Sequence, residues 1–519
     1  MTGKTYTLTK MVEQAAAEYG GGSVMVSSFT TAAAAEVSHR AYSVPEDNIG
    51  TLHRFCFEAI GRTPVAEGKK SAIDDFNKFA PAYVMSAGCK DLNSGLEYGD
   101  SSSLGDSLMS QATILRNKMI DRGSWPRAVR DFFEVWSSWK RASNFIDYTD
   151  MLEMALENCS QAPCSPRIIF VDEAQDSTAL QFAVLKRWAQ QTEKIVMVGD
   201  DDQCIYQFAG AEPEAFASGE ITANDQVLEQ SYRVPFMVWE HATQWIEKVK
   251  ERVEKFYYPR DEEGFVKRCP HNFKQGAEIV GLIEKCLLKY SSVMIIGACS
   301  YMIEPVKKAL LDAGIPFHNP YRLIRADWNP LRLGQGTTFA QRVAAFLKPQ
   351  TGGELWTPHE IGMWADVLKA DGVFERGFKG KLGKEEYLSL CSGEILATFF
   401  KPEAFERIMA VDLDWWVHNL VNDTTAAKAK YPLKVIEKMG KGFLDAEEVP
   451  PLVTIGTIHS VKGGEADCVI LIPDLSQEGM MEWTGAGKSA IRRLMYVGMT
   501  RARHGLFICR PASQYCCDV

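Results

Sequence analysis

Short uninterrupted apolar runs alternate along this chain with stretches whose apolar residues return every three or four positions, the pattern of buried parallel strands separated by helices. The clearest run is Ile168-Ile169-Phe170-Val171, and its near-continuous hydrophobicity predicts a strand covered on both faces. Comparable runs open the segments Val24 to Ser27 and Lys194 to Ala211. Later ones, at Val293 to Ile296, Cys468 to Ile472 and Leu506 to Cys509, predict a second sheet. A helix is expected over Tyr6 to Tyr19. In Asp131 to Arg141, Phe132, Val135, Trp136 and Trp139 fall at helical spacing, which reads as packing rather than as a base-stacking surface. The fold class expected is α/β, with two parallel-sheet domains each interrupted by a mainly helical insertion.

Boundaries follow from where the chemical motifs stop, the phosphate-loop remnant at 1–5 and the acidic runs at 171–176 and 199–203 falling in one domain. Residues 1–60 and 145–227 are expected to form a first sheet domain, with 61–144 as its insertion. Residues 228–318 and 449–519 form the second, with 319–448 inserted. That second insertion is entered through Pro316, Pro320 and Pro330 and left through Pro450-Pro451, as a separately packed subdomain would be. Its tryptophans, Trp356, Trp364, Trp415 and Trp416, read as core.

Composition narrows the class without naming it. With 519 residues, 46% of them hydrophobic, the chain can bury several cores, and its length suggests roughly three or four domains. Neither a charged leader followed by an apolar stretch nor a run of about 18 apolar residues is present, so a cytoplasmic protein without membrane partners is expected. The 13 cysteines lack C-x-x-C spacing, which fits reduced thiols better than a metal cluster or a disulfide framework. Cys516-Cys517 is expected in a frayed tail. A net charge of −10 is unusual for a nucleic-acid partner, because phosphate neutralisation supplies most non-specific affinity. Local basic stretches, such as 116–118, 127–130, 248–252 and 379–384, are nevertheless able to line a groove.

Candidate chemistry lies at the ends of the apolar runs. Val171 to Asp176 reads VDEAQD, placing Asp172 and Glu173 at the carboxyl end of a buried strand, where an α/β fold opens its ligand crevice. ATP hydrolysis needs a cation bridging the terminal phosphates and a base orienting the attacking water. Asp172 suits the first role and Glu173 the second. An acidic cap at a strand-to-helix turn is the plainer alternative. Met1 to Thr5 reads MTGKT, the last part of a G-x-x-x-x-G-K-[ST] phosphate loop without its first glycine. There Gly3 and Lys4 would face the phosphates and Thr5 would place its hydroxyl on Mg²⁺. Either the start lies upstream, or the product is truncated or split.

Taken in order, SSFTTAAAAEV (27–37), GTLHRFCFEAI (50–60), the DEAQD run, GDDDQCIYQFAGA (199–211), LEQSYR (228–233), TIGTIHSVKGGE (454–465) and RRLMYVGMTRAR (492–503) resemble the motifs of superfamily one DNA helicases of the UvrD/Rep type. The resemblance spans nearly the whole chain. It implies two RecA-like motors of the P-loop NTPase class that use ATP and Mg²⁺ to move on single-stranded or forked DNA, from 3′ to 5′. It also implies roles for matching residues. Arg233 and Arg501 would meet the γ-phosphate, Gln203 would contact it, Tyr232 would stack on adenine, and Asp200 and Glu465 would lie near the nucleotide. Phe29, Tyr206 and Phe208 match base-stacking positions, and Thr30, Thr51, His53 and His459 match polar positions that touch DNA. Phe55 reads as core.

Three departures accompany the match. Ala209 stands where many relatives carry an arginine, the fifth motif reads KGGE rather than KGLE, and the glutamine that usually reads adenine would precede Met1. A translocase that strips proteins from DNA without separating strands, and a DNA-binding fragment with a defective ATPase, are the competing expectations.

Overall fold

The computed structural model describes residues 3–29, 34, 37–38, 40–86, 103–217, 226–323, 325–332, 337–349, 355–381, 392–444 and 449–519. The chain divides into two compact units. Residues 1–268, 297–299 and 457–519 form the first, and 269–296 with 300–456 form the second.

The first unit begins with α1 (Lys4–Tyr19), whose apolar positions Leu8, Val12, Ala15 and Ala16 are buried. It leads into β1 (Val24–Ser28), β2 (Ile49–Thr51) and α2 (Leu52–Ala59). An inserted layer follows: α3 (Lys70–Phe79), α4 (Leu104–Asn117) and α5 (Arg127–Ser143). Then come α6 (Tyr148–Asn158), β3 (Ile168–Val171), α7 (Ala179–Ala189) and β4 (Lys194–Met197). The four strands form one parallel sheet in the order β2-β1-β3-β4. Alternation along the strands explains why both faces are covered. Val24, Val26, Ile168 and Phe170 pack with α1 residues on one side, and Met25, Ile169 and Val171 pack with Phe55, Leu152 and Trp188 on the other.

The inserted helices have a separate aromatic core. Phe76 meets Trp136 edge-on at 4.8 Å, and Trp136 stacks on Trp139 at 5.1 Å. Phe132, Trp136 and Trp139 are buried and Val135 packs at the margin, so the helical spacing of this segment marks packing, as expected. A two-stranded parallel ladder of β5 (Gln230–Pro235) and β6 (Tyr258–Arg260) brackets α8 (Phe236–Ile246), and β7 (Phe265–Cys269) follows.

The second unit holds β8 (Val293–Gly297) as far as Ile296, β9 (Phe317–His318), and β10 (Val453–Thr457) as far as Gly456, with β9 and β10 paired in parallel. The rest of it is mainly helical, including Phe339–Leu347, Pro358–Ala365 and Asp423–Met439. Trp356, Trp364 and Trp416 are buried around Phe346, whereas Trp415 is only half-buried, so the expectation of four core tryptophans holds for three.

The chain then returns to the first unit through β11 (Ala466–Leu471), α9 (Lys488–Met499) and β12 (Ala502–Cys509). β11 and β12 pair in parallel, and β12 lies between β11 and β7. The tail is packed rather than frayed: Cys517 is buried and its backbone N–H donates to Pro473 at 2.9 Å. Asp474 accepts from the N–H groups of Ala512 and Ser513, which fixes the turn before it. No described helix is long and apolar enough to cross a membrane.

Candidate nucleotide and nucleic-acid site

The acidic and phosphate-facing residues collect at the carboxyl ends of β3 and β4, inside the first unit. α1 starts at Gly3, whose φ of 72° is left-handed and suits glycine, and no acidic residue occupies its first turn. Its N-terminal amides and dipole therefore favour an anion. Lys4 points its ammonium into a buried position and donates to no partner among the described residues. A buried cation left open in this way is costly unless a ligand completes it, and a nucleotide phosphate has the matching charge. Gly3 also lies under the Tyr232 ring, so that a Cβ there would meet the ring at 3.4 Å. Tyr232 is itself 69% exposed, which leaves most of its face for stacking.

At the end of β3, Asp172 is buried and its Oδ1 accepts from the Glu173 backbone N–H at 3.0 Å. Glu173 has a φ of 51°, a conformation disfavoured for a side chain of its kind and often found where function demands it. Its carboxylate accepts from the Gln175 amide at 2.6 Å. Burial would raise the Glu173 pKa, but the charges of Lys4, Lys462 and Arg501 and the Gln175 hydrogen bond together bring it to about 2. Glu173 is thus a carboxylate at neutral pH. Asp176 behaves oppositely, pushed up to about 6 by burial and by Glu173 although Lys462 opposes the shift.

Gln175 joins this strand end to the next. Its Oε1 accepts from the Asp200 backbone N–H at 2.8 Å. Gly199 is needed for that approach, since a Cβ at this position would come within 2.6 Å of the same oxygen. Beyond it, the Gln203 amide donates to Asp200 while its Oε1 accepts from Arg501 at 3.3 Å. The Asp200 carboxyl is held below the usual carboxylate range, since Lys255, Lys4 and the Gln203 hydrogen bond outweigh the effect of its burial. Arg501 is almost wholly buried and also donates to Val497 and Gly464, so its guanidinium is fixed by backbone. Arg233 pairs with Glu465 at 2.6 Å, and Arg503 reaches the other oxygen of the same carboxylate at 3.1 Å.

A second cluster, of rings, stands next to the first. Phe29 lies 5.0 Å from Tyr206, Tyr206 lies 6.0 Å from Phe208, and His459 meets Phe208 edge-on at 5.3 Å. Tyr206 is buried among these neighbours, while Phe29 and Phe208 remain partly open. The His459 Nε2 lies 3.1 Å from the Ile205 carbonyl. A cavity of about 400 Å³ opens beside the rings, with Gln207, Phe208, His459 and Arg493 in its wall.

Thr51 and His53 make contacts of another kind. The Thr51 hydroxyl caps α2 by accepting from the Arg54 N–H at 3.3 Å, and His53 meets Tyr148 edge-on at 6.4 Å. Thr30 lies outside the described residues. Phe55 is buried core, as its position suggested.

Several functional contacts were not singled out from sequence. Lys462 forms a close ion pair with Asp176, donates to the Gln203 carbonyl at 2.8 Å and lies 5.3 Å above the Tyr206 ring. It therefore touches the acidic and aromatic clusters at once. Its motif was visible, but its partner lies 286 residues earlier in the chain, a separation that no local pattern reports. Within two of the basic stretches, Arg116 and Arg252 are each spent on carboxylates. The stretch at 379–384 extends beyond the described residues.

Comparison with known proteins finds helicase relatives over most of the chain. Residues 2–223 match the UvrD/REP helicase N-terminal domain, and 452–509 match the UvrD-like helicase C-terminal domain. The ATP-dependent DNA helicase PcrA of Bacillus subtilis (strain 168) is 21% identical over 98% of this chain and 79% of its own length. Two Mycobacterium tuberculosis (strain ATCC 25618 / H37Rv) helicases are similar as well. UvrD2 is 24% identical over 97% of the chain and 74% of itself, and UvrD1 is 23% identical over 98% and 79%. With family models matched at both ends and helicase relatives aligned over nearly its whole length, the chain belongs to the UvrD/Rep family of superfamily one helicases.

Proposed function

We propose that the protein is an ATP-dependent DNA helicase and single-stranded DNA translocase that moves from 3′ to 5′ and separates the strands of forked DNA. The observation that carries the reading is the convergence of Lys4, Glu173, Gln203 and Arg501 around one buried position, with Lys462 bridging it to the ring cluster. Residues 1–60 and 145–227 would act as the first motor, 228–318 and 449–519 as the second, and 61–144 and 319–448 as their insertions.

In this reading Gly3 and Lys4 hold the terminal phosphates, Tyr232 stacks on adenine and Glu465 steadies Arg233 beside the nucleotide. Thr5 and Asp172 would hold Mg²⁺, which supplies charge neutralisation at the phosphates. Glu173 orients the attacking water and accepts its proton. Gln203 and Arg501 report the presence of the γ-phosphate, and Arg233 adds a guanidinium suited to dispersed transition-state charge. Lys462 passes the change to Tyr206. Phe29, Tyr206 and Phe208 then grip bases by stacking, which tolerates any sequence, with Thr30, Thr51, His53 and His459 as polar contacts. Work on the DNA of a bacterial or phage-infected cell follows from this reading.

The test is ATP hydrolysis by the full chain with and without single-stranded DNA, beside Glu173→Gln, followed by unwinding of a forked duplex. DNA-stimulated turnover lost in Glu173→Gln, together with strand separation, supports the whole reading. Turnover without strand separation leaves a protein-displacing translocase. DNA binding without any turnover would reduce the protein to a binding module.

A further inference from the structure

Lys255 lies between α8 and β6, outside every motif that carries the family resemblance. Its ammonium is 3.0 Å from Asp200, 3.0 Å from Asp202 and in close contact with Asp201. From the same segment, Arg252 grips both Asp202 oxygens, at 2.9 and 2.7 Å, and the Val253 N–H donates to Asp201 at 2.9 Å. The three aspartates could together face a divalent cation, since their oxygens lie within 4.8 Å of one another. The cation among them is the lysine.

This clasp reaches the nucleotide machinery in two directions. Asp200 accepts from the Gln203 amide, and Gln203 accepts from Arg501. Two residues beyond Lys255, the Tyr257 hydroxyl meets the Tyr496 hydroxyl at 3.1 Å on α9, the helix that ends just before Arg501. The clasping segment is also continuous, through α8, with the strand that carries Tyr232 and Arg233. Asp201 and Asp202 are 2% and 1% exposed, so separating them from their cations would leave buried charge uncompensated. The turn and the 252–257 segment are therefore bound to move together.

We propose that Lys255 and Arg252 are positioning residues for ATP turnover, holding the Asp200–Asp202 turn so that Gln203 and Arg501 meet the terminal phosphate as one unit. The inference rests on the ATP-driven motor reading. Both side chains are engaged by the aspartates of the turn, so their loss is expected to act on the rate of the stimulated step rather than on ATP binding.

The experiment is steady-state ATP hydrolysis by the full chain at saturating single-stranded DNA, for the native protein, Lys255→Met, Lys255→Arg and the double variant Lys255→Met/Asp201→Asn. The double variant removes one charge of each sign and keeps the net charge of the turn unchanged if the single variant fails to fold. Lys255→Met and the double variant are expected to lose about tenfold or more in kcat. Their KM for ATP should stay within about twofold, and Lys255→Arg should keep at least about half of the native rate. A folded methionine variant with native DNA-stimulated kcat would overturn the positioning role alone, as would unfolding of every variant, which would make the clasp purely structural. Absence of DNA-stimulated turnover in the native chain would instead overturn the motor reading, and this role with it.

Discussion

The helical layer and the phosphate-facing site both bury charges in the same unit, but they differ in how far those charges are satisfied. In the helical layer, Arg116 donates to Asp147 at 2.9 Å, Asp150 at 2.5 Å and Glu153 at 2.8 Å. Lys140 and the Trp136 indole N–H complete Asp147, which with Asp150 also forms the capping box of α6. This cluster is closed. At the phosphate-facing site, Lys4 Nζ and Asp176 Oδ1 are buried without a hydrogen-bond partner among the described residues. A satisfied ionic network fixes a structure, whereas a network with an open cation keeps a place for a ligand. Burial and charge alone do not separate the two cases; the accounting of donors and acceptors does.

The comparison can be broken most directly at the open cluster. Replacing Glu173 by Gln, or Lys4 by Ala, should lower DNA-stimulated ATP turnover by about 10²–10⁴-fold while leaving the thermal midpoint near that of the native protein. A large loss of stability with intact turnover would assign the cluster to structure instead. The closed cluster should answer in the opposite way. Arg116→Met leaves Asp147 and Asp150 buried against no guanidinium and should cost about 3–5 kcal/mol in urea unfolding, with turnover per folded molecule unchanged. A variant of native stability but depressed turnover would erase the distinction.

The ring cluster gives a smaller effect of a different kind. Phe208→Ala should weaken single-stranded DNA binding by about 1–3 kcal/mol, measured by fluorescence anisotropy, with ATPase activity in the absence of DNA unaffected. Equal affinity in the variant would move the base-stacking surface elsewhere.

The smallest effect concerns pH. Glu67, bonded to the Tyr148 N–H at 2.7 Å, is pushed up to about 8 by burial and by the charge of Asp147, which outweigh Lys140 and Arg116. A raised carboxyl pKa means that the folded protein keeps a proton that the unfolded chain has released, so stability falls as pH rises from about 4.5 to 8. Because Glu67 keeps part of its surface in solvent, the change should be on the order of 1 kcal/mol. Glu67→Gln should remove it, matching native stability near pH 5 and exceeding it near pH 8. Parallel urea midpoints across that range would exclude the effect.

Much of the site was legible because phosphate chemistry is served by short, contiguous motifs. The apolar run before Asp172 and Glu173 required a buried strand, and the parallel sheet then placed both carboxylates at the crevice. Packing of Asp131 to Arg141 followed from helical spacing for the same reason: periodicity reports which face is buried. Trp415 and the tail at Cys517 departed from expectation because each depends on whether a distant surface arrives to cover it.

The sequence by itself therefore determined the order of strands and helices, the α/β class, the family and the residue types at the strand ends, all properties encoded within a few neighbouring positions. Tertiary structure decided which charges meet. It brought Lys462 to Asp176, Lys255 to the Asp200–Asp202 turn and Arg501 to Gln203, and it spent Arg116 on Asp147 while leaving Lys4 open. The reason is physical. Hydrophobic periodicity is local, but the stabilisation of a buried charge depends on a partner within a few ångströms, and only the folded chain sets that distance.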